Sequence, residues 1–448
     1  MKIYLESLGC PKNLVDSQGM LRLLQHLGHQ PVDDPRQAQV LIVNTCGFIR
    51  DARDESITEL RRLARKKRRG QILIAAGCLS QLWGDQLRHL VPGVDALLGT
   101  RRWTEIGHLV SELMASAGGQ PGPDFSLLGD PLPSSNGGAS PHHSFARQGS
   151  TAYLKIADGC SAPCAFCAIP LIKGPAASRP AGAIVADAAA LVDQGVREII
   201  LIAQDTTAYG RDRGQRDALP GLVQGILDAA PGLYWLRLMY AYPGHVSRKL
   251  IDVLAADLRM CHYLDLPLQH AHPDVLRRMK RPADVDRIRQ LIDELRAAVP
   301  DLALRTSLIV GYPGETEDEF QALLEFVRHM RFDHVGVFIY SPEPGTAAAA
   351  LPDPVPDEVA SDRRERLMAA QQEISLALNQ AQVGRTLDVL LEGQGDGLTI
   401  GRSYRDAPEI DGLVLLHGDI PDAVIGHIVT AEITGAMEYD LVGKICSQ

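Results

Sequence analysis

The chain lacks the features that would place it in a membrane, outside the cell or on nucleic acid. None of its 448 residues fall in an apolar run approaching the roughly 18 needed for a membrane span. The N-terminus, MKIYLESLGCPKN, has one early lysine and none of the apolar core, about 7–15 residues long, of a secretory signal. Positive charge is in deficit, with 45 Lys and Arg against 55 Asp and Glu, so the net charge of −10 gives no whole-chain attraction for nucleic acid. These absences predict a cytoplasmic protein that needs no membrane and keeps its thiols reduced. A disulfide framework is then a poor account of the 8 cysteines, which point to metal binding or catalysis.

What is present is an ordinary soluble composition, 45% hydrophobic and 22% charged, long enough for several domains. In the first hundred residues the apolar stretches KIYLESLG, AQVLIVNTC and QILIAAGC alternate with helical patterns, one carrying Leu14, Met20, Leu21, Leu24 and Leu27 on a single face. This predicts a doubly wound parallel sheet within residues 1–115. Between Ser116 and Pro141, 16 of 26 residues are Gly, Pro or Ser, which predicts a linker over 116–148 with room for a short strand near Phe125–Leu128. Six further strands (TAYLKIA, EIILIAQD, YWLRLMY, YLDLPL, LRTSLIVGY, HVGVFIYS), mostly separated by helices, predict a partial α/β barrel over 149–380, closed off by a charged helix near Asp357–Gln382. Its chemistry belongs at the strand C-termini. Five short β runs separated by Gly and Asp turns predict a small β-barrel over 381–448.

Cys160, Cys164 and Cys167 lie in CSAPCAFC, just after TAYLKIA. Three thiolates on one loop can wrap a cubic 4Fe–4S cluster and cap three of its four irons. The fourth iron is free to chelate the amino and carboxylate groups of S-adenosylmethionine (SAM). Structural zinc is the plainer alternative, but it wants four ligands and no fourth Cys or His is close in sequence. Cys10, Cys46 and Cys78 each end a strand, in SLGC, VNTC and AAGC. Parallel strands deliver such ends to one edge of a sheet, where three cysteines can converge on one metal centre. Gly9, Gly47 and Gly77 beside them would let backbone approach closely. Any one of the three alone would read as a small buried apolar residue. Cys261 and Cys446 have no partner in sequence and read as ordinary residues.

Carrying these residues, the chain resembles the methylthiotransferase branch of the radical-SAM enzymes over essentially its whole length. The supporting strings are LGCPKNLVDS, VNTCGFI, AAGCL, YLKIADGC, CAFCAIP, AQDTTAYG, YPGH, YLDLPLQH, MKRP, IVGYPGETEDEF, GVFIYSPEPGT and GRSYRDAPEIDG. Within the branch it is similar to the members that modify a ribosomal protein. The tRNA-directed members usually have Cys-Gln-Met-Asn where this chain has Cys10-Pro11-Lys12-Asn13. Departures from the usual pattern include Gln18 for Glu, Lys173 for Arg, and Ser161-Ala162-Pro163 after the first loop cysteine.

The resemblance implies a radical-SAM barrel followed by a TRAM barrel, two 4Fe–4S clusters on the six cysteines, and SAM. It implies no catalytic residue beyond the clusters, and a reducing partner such as flavodoxin or ferredoxin. The expected activity is methylthiolation of the β-carbon of an aspartate in the small-subunit ribosomal protein S-twelve. Phe166, just before the last loop cysteine, belongs to the superfamily's spacing.

Gln204 and Asp205 would hold SAM polar groups, with helix capping the alternative for Asp205. Arg305 would pair with the SAM carboxylate or form a structural salt bridge, and Gly311 would allow a close turn near adenine. Gln269 and His270 read as a polar cluster at a strand end, and His272 as a surface-loop residue. The run Arg65–Arg69 reads as a solvated helix end, with ribosomal RNA contact as the alternative. The C-terminal barrel has four basic residues (Arg385, Arg402, Arg405, Lys444) against eleven acidic ones, a net of −7. That sign suits a basic ribosomal protein and disfavours stable tRNA binding.

Overall fold

Apolar side chains at both parities of the first strands build a sheet buried on both faces. The protein is described from a computed structural model covering residues 1–115, 125–129, 144–395, 397–417 and 424–446. Strands β1 (Lys2–Ser7), β2 (Gln30–Pro31), β3 (Val40–Thr45), β4 (Ile72–Gly77), β5 (Ala96–Gly99) and β6 (Ser126–Leu127) pair in the order β2-β1-β3-β4-β5-β6, all parallel. Ile42 and Ile74 face helices Pro11–His26 and Ile106–Ala115, while Leu41, Val43 and Leu73 face helix Arg50–Lys66. The doubly wound expectation is met. The residues expected to form a linker include β6, which completes this sheet. The rest of that stretch, 116–124 and 130–143, lies outside the described residues.

The second sheet opens with β7 (Phe145–Gln148), an antiparallel edge strand that turns through Gly149 and Ser150 into β8 (Thr151–Lys155). The sequence reading missed β7 because it adjoins the Gly/Pro/Ser-rich stretch. A short hairpin, β9 (Ala157–Asp158) with β10 (Ala177–Ser178), brackets the CSAPCAFC loop. The remaining strands are β11 (Glu198–Ile202), β12 (Trp235–Leu238), β13 (Met260–Asp265), β14 (Ala303–Val310) and β15 (His334–Ile339). They follow β8 in order, all parallel, as the expected open barrel. Its outer face packs on the intervening helices in the largest apolar cluster.

Strands β16 (Thr386–Gly395), β17 (Leu398–Arg402), β18 (Val414–His417), β19 (Ile428–Ala436) and β20 (Leu441–Ile445) close the small C-terminal barrel. The segment after β17 plugs the lumen of the large barrel from the strand N-terminal side, with Ala407 packed against Tyr263, Trp235 and Cys261. Its charges are matched there. Glu198 of β11 accepts from Arg237 and Arg402, each at 2.7 Å, and Arg405 pairs with Asp333 at 2.5 Å. No helix of the described residues is long and apolar enough to cross a membrane.

Candidate metal and cofactor site

Cys10, Cys46 and Cys78 follow β1, β3 and β4, which are neighbours in the sheet, so their loops share one edge. The glycines beside them are required by how tightly those loops pack. A Cβ on Gly9 would lie 2.7 Å from Cys46 Cβ and 2.8 Å from its Sγ, and one on Gly47 would lie 2.9 Å from the backbone of Leu79. A Cβ on Gly77, at φ +96°, would fall on Asn44 Oδ1 and the Thr45 carbonyl. Asn13 ties the edge together by donating from Nδ2 to the carbonyls of Leu8 (3.0 Å) and Thr45 (2.9 Å). Burial pushes the thiols up, Cys46 to about 11 and Cys78 to about 12. Such thiols stay inert until a metal displaces the proton.

The second set lies on the loop between β9 and helix Ile169–Lys173. The loop is held by backbone bonds from Cys160 N to Gly174 O (3.1 Å) and from Ala165 N to Met279 O (2.9 Å). Burial raises Cys160, and raises Cys167 to about 12. Arg281, which stacks 4.1 Å from the Tyr242 ring centroid, brings Nη1 to 3.8 Å from Cys164 Sγ. A cleft of about 460 Å³ opens over the loop, walled by the three cysteines together with Leu171, Gly345 and Thr346. That is a small-molecule volume. Phe166 packs with Ala165, Val275 and Tyr312 behind it.

Each set offers three thiolates, a donor set that suits a cubic cluster, which takes one thiolate per iron. Among the described residues, His272, Asp274 and Glu319 bring three ligand atoms within 4.8 Å of one another. The His272 group is already committed, because Arg278 takes both oxygens of Glu319 at 3.0 and 2.9 Å.

The two cysteine sets are clamped together by charges buried between the domains. Asp16, on helix Pro11–His26, pairs with Lys155 at the end of β8 and with Lys173 (3.0 Å), which ends the helix after the second loop. Asp158 completes the group at 3.2 Å from each lysine. Burial opposes the charge on Asp158, but Lys155 and Lys173 prevail and hold its carboxyl well below the usual range. A second clamp joins Arg53 to Glu343, and Arg101 donates to the carbonyls of Ile172 (2.9 Å) and Leu171 (3.2 Å). Apart from Lys173, noted only as standing where arginine is usual, the sequence reading overlooked these residues.

The residues expected around SAM divide into two groups. Gln204 donates to Asp158 Oδ1 at 3.1 Å, and its Oε1 is buried without a partner, leaving an acceptor for a ligand at the barrel mouth. Phe166 stays beside the second cysteine loop. The other three make contacts within the chain. Asp205 caps the turn Thr206–Ala208 through Ala208 N (3.0 Å), and its other oxygen meets His245 Nδ1 at 2.9 Å. Arg305 pairs with Asp265 (3.0 Å) and Asp411 (3.3 Å), so two buried carboxylates already hold its guanidinium. Gly311 is needed because φ is +73° and a Cβ there would lie 2.6 Å from Ala360 Cβ on helix Asp357–Gln380. His270 is buried 3.5 Å from Glu315, and His272 caps helix Pro273–Arg278.

A partial parallel barrel with three cysteines on the loop after its first parallel strand defines a radical-SAM enzyme. Residues 154–327 match the Radical SAM superfamily, 2–99 match Uncharacterized protein family UPF0004, and 383–446 match the TRAM domain. The chain belongs to the RimO family of ribosomal protein uS12 methylthiotransferases. It is 49% identical to the member from Chloroflexus aurantiacus over 100% of both chains. It is 48% identical to that of a Roseiflexus species over 99% of this chain and 97% of the relative, and 46% to that of an Anaeromyxobacter species over 100% and 94%. The fold is also that of the radical SAM methyltransferase TsrM from Kitasatospora setae, at TM-score 0.56, 14% identity, and coverage of 83% of this chain and 89% of that one. The cobalamin-dependent radical enzyme OxsB aligns with TM-score 0.54 at 9% identity, covering 83% and 56%. At these identities the two structures speak to fold alone.

Proposed function

We propose that this chain transfers a methylthio group to the β-carbon of an aspartate in ribosomal protein uS12, in the cytoplasm. When bound, two 4Fe–4S clusters and SAM supply the radical chemistry and the methylthio group. Cys160, Cys164 and Cys167 hold one cluster, and Cys10, Cys46 and Cys78 hold the other. The observation that carries the reading is the clamp of Asp16, Lys155 and Lys173, which fastens the helix starting after Cys10 to both ends of the second cysteine loop. Two sites so joined can act on one substrate atom. Gln204 Oε1 accepts a donor of SAM, and Phe166 backs the loop. A flavodoxin or ferredoxin delivers electrons.

The C-terminal barrel favours a basic partner over tRNA. Two of its four cations are buried in ion pairs, with side-chain exposures of 1% for Arg402 and 6% for Arg405, which leaves Arg385 and Lys444 on its outer surface. Phosphate recognition needs free cations. The test is anaerobic reconstitution with iron and sulfide, then addition of SAM and a strong reductant, with uS12 and bulk tRNA offered separately. Mass spectrometry should find the methylthio increment on one aspartate of uS12 and none on tRNA. An increment on tRNA alone would overturn the substrate assignment.

A further inference from the structure

Around the large barrel Asp16 and Asp158 hold Lys155 and Lys173, Asp265 and Asp411 share Arg305, and Asp205 holds His245. Lys12 takes no part in these pairs. It lies in the first turn of helix Pro11–His26, two residues after Cys10, and reaches across the domain boundary. There its Nζ lies 3.2 Å from the centroid of the Tyr240 ring and 3.4 Å from the Ala203 carbonyl oxygen. Neither partner carries a charge, and among the described residues no carboxylate lies within ion-pair distance of it.

The platform under Lys12 is built. Ala203 follows β11 and Tyr240 follows β12, at the strand C-termini where barrel chemistry sits. Tyr240 is held at φ +62°, a strained region for a bulky residue. Its N–H donates to Asp265 Oδ2 at 3.1 Å, and its carbonyl accepts from the Thr206 backbone N–H at 3.1 Å. An ammonium kept on a ring face and a carbonyl is incompletely compensated, and an anion arriving in the same space completes its pairing.

We propose that Lys12 binds the side-chain carboxylate of the substrate aspartate and so selects and orients the residue to be modified. The inference rests on the protein-directed reading above. The carbon that receives the methylthio group is bonded directly to the carboxylate carbon, so gripping the carboxylate fixes the position of the reacting C–H.

The test is binding, with no turnover required. Reconstituted full-length protein without reductant is titrated with labelled uS12, and with uS12 whose modified aspartate is changed to asparagine. Wild type should prefer the aspartate form. Lys12→Met, which keeps the side chain's length, should weaken binding of that form about 10- to 100-fold, as expected for loss of a charge-assisted hydrogen bond. It should leave the asparagine form within about two-fold, with iron content unchanged. Lys12→Arg should restore most of the preference. Equal weakening of both forms, no weakening, or a loss that tracks loss of iron would each overturn the assignment. If wild type methylthiolates uS12 while Lys12→Met keeps the wild-type preference for the aspartate form, this inference alone falls. If wild type neither binds nor modifies uS12, the protein-directed reading falls and takes it along.

Discussion

Replacing Asp16 with asparagine tests whether the domain clamp places the two cysteine sets. The side chains of Asp16, Lys155 and Lys173 are 2%, 4% and 3% exposed, so solvent screens little of their interaction. After Asp16→Asn, two buried ammonium groups share only Asp158, which is 31% exposed, and one charge is left uncompensated. Breaking one partner out of a buried charge group costs about 3–5 kcal/mol. For a unit the size of the barrel this lowers the first thermal transition by about 6–20 °C, at about 2–4 °C per kcal/mol. Scanning calorimetry of the reconstituted protein measures it. Asp85→Asn is the control, because Asp85 is 76% exposed in its pair with Arg88 and its loss should cost under about 1 kcal/mol. If Asp16→Asn behaved like that control, the charge group would not be what fastens the domains.

Three other outcomes are expected. Burial alone would raise Glu198, but Arg402 and Arg237 outweigh it and hold it down to about 2. A depressed carboxyl stabilises the fold above its unfolded value of about 4.3 and loses that contribution as pH falls through the folded value. The deficit of Glu198→Gln in urea unfolding, about 3 kcal/mol near pH 6, should therefore vanish by about pH 2, and a deficit constant with pH would refute the pairing. Gly77→Ala places a Cβ on Asn44 and Thr45 at a backbone angle that disfavours it, so it should reduce bound iron from about eight to about four per chain; unchanged iron would show that the three loops need not pack this tightly. Arg281→Met removes the cation beside Cys164, so the potential of the cluster on the second loop, read by EPR-monitored titration, should move negative by on the order of 50 mV; a positive shift would contradict the geometry.

Local pattern and spacing determined much of this protein from the sequence alone. Short apolar runs alternating with helical patterns marked β1, β3 and β4 and the six parallel barrel strands, and short β runs between Gly and Asp turns marked the five of the small barrel. Three cysteines within eight residues are a site wherever the loop goes. Cys10, Cys46 and Cys78 were legible as strand ends, and parallel pairing makes strand ends neighbours. The short strand β7 was hidden, since a hairpin edge beside a Gly/Pro/Ser-rich stretch carries almost no periodic signal.

Tertiary structure alone decided which partners single polar residues find within the chain. Arg305 gives no local sign of its salt bridge with Asp411, which lies 106 positions further along in the C-terminal barrel. Gly311 is explained by Ala360 on a distant helix, and Asp205 by the turn and the histidine it holds. Asp16, Lys155 and Lys173 became a clamp only when two domains met, and the same meeting left Lys12 without a carboxylate. The physical reason is that burial and charge pairing depend on what the rest of the chain brings within a few ångströms, which no local window of sequence contains.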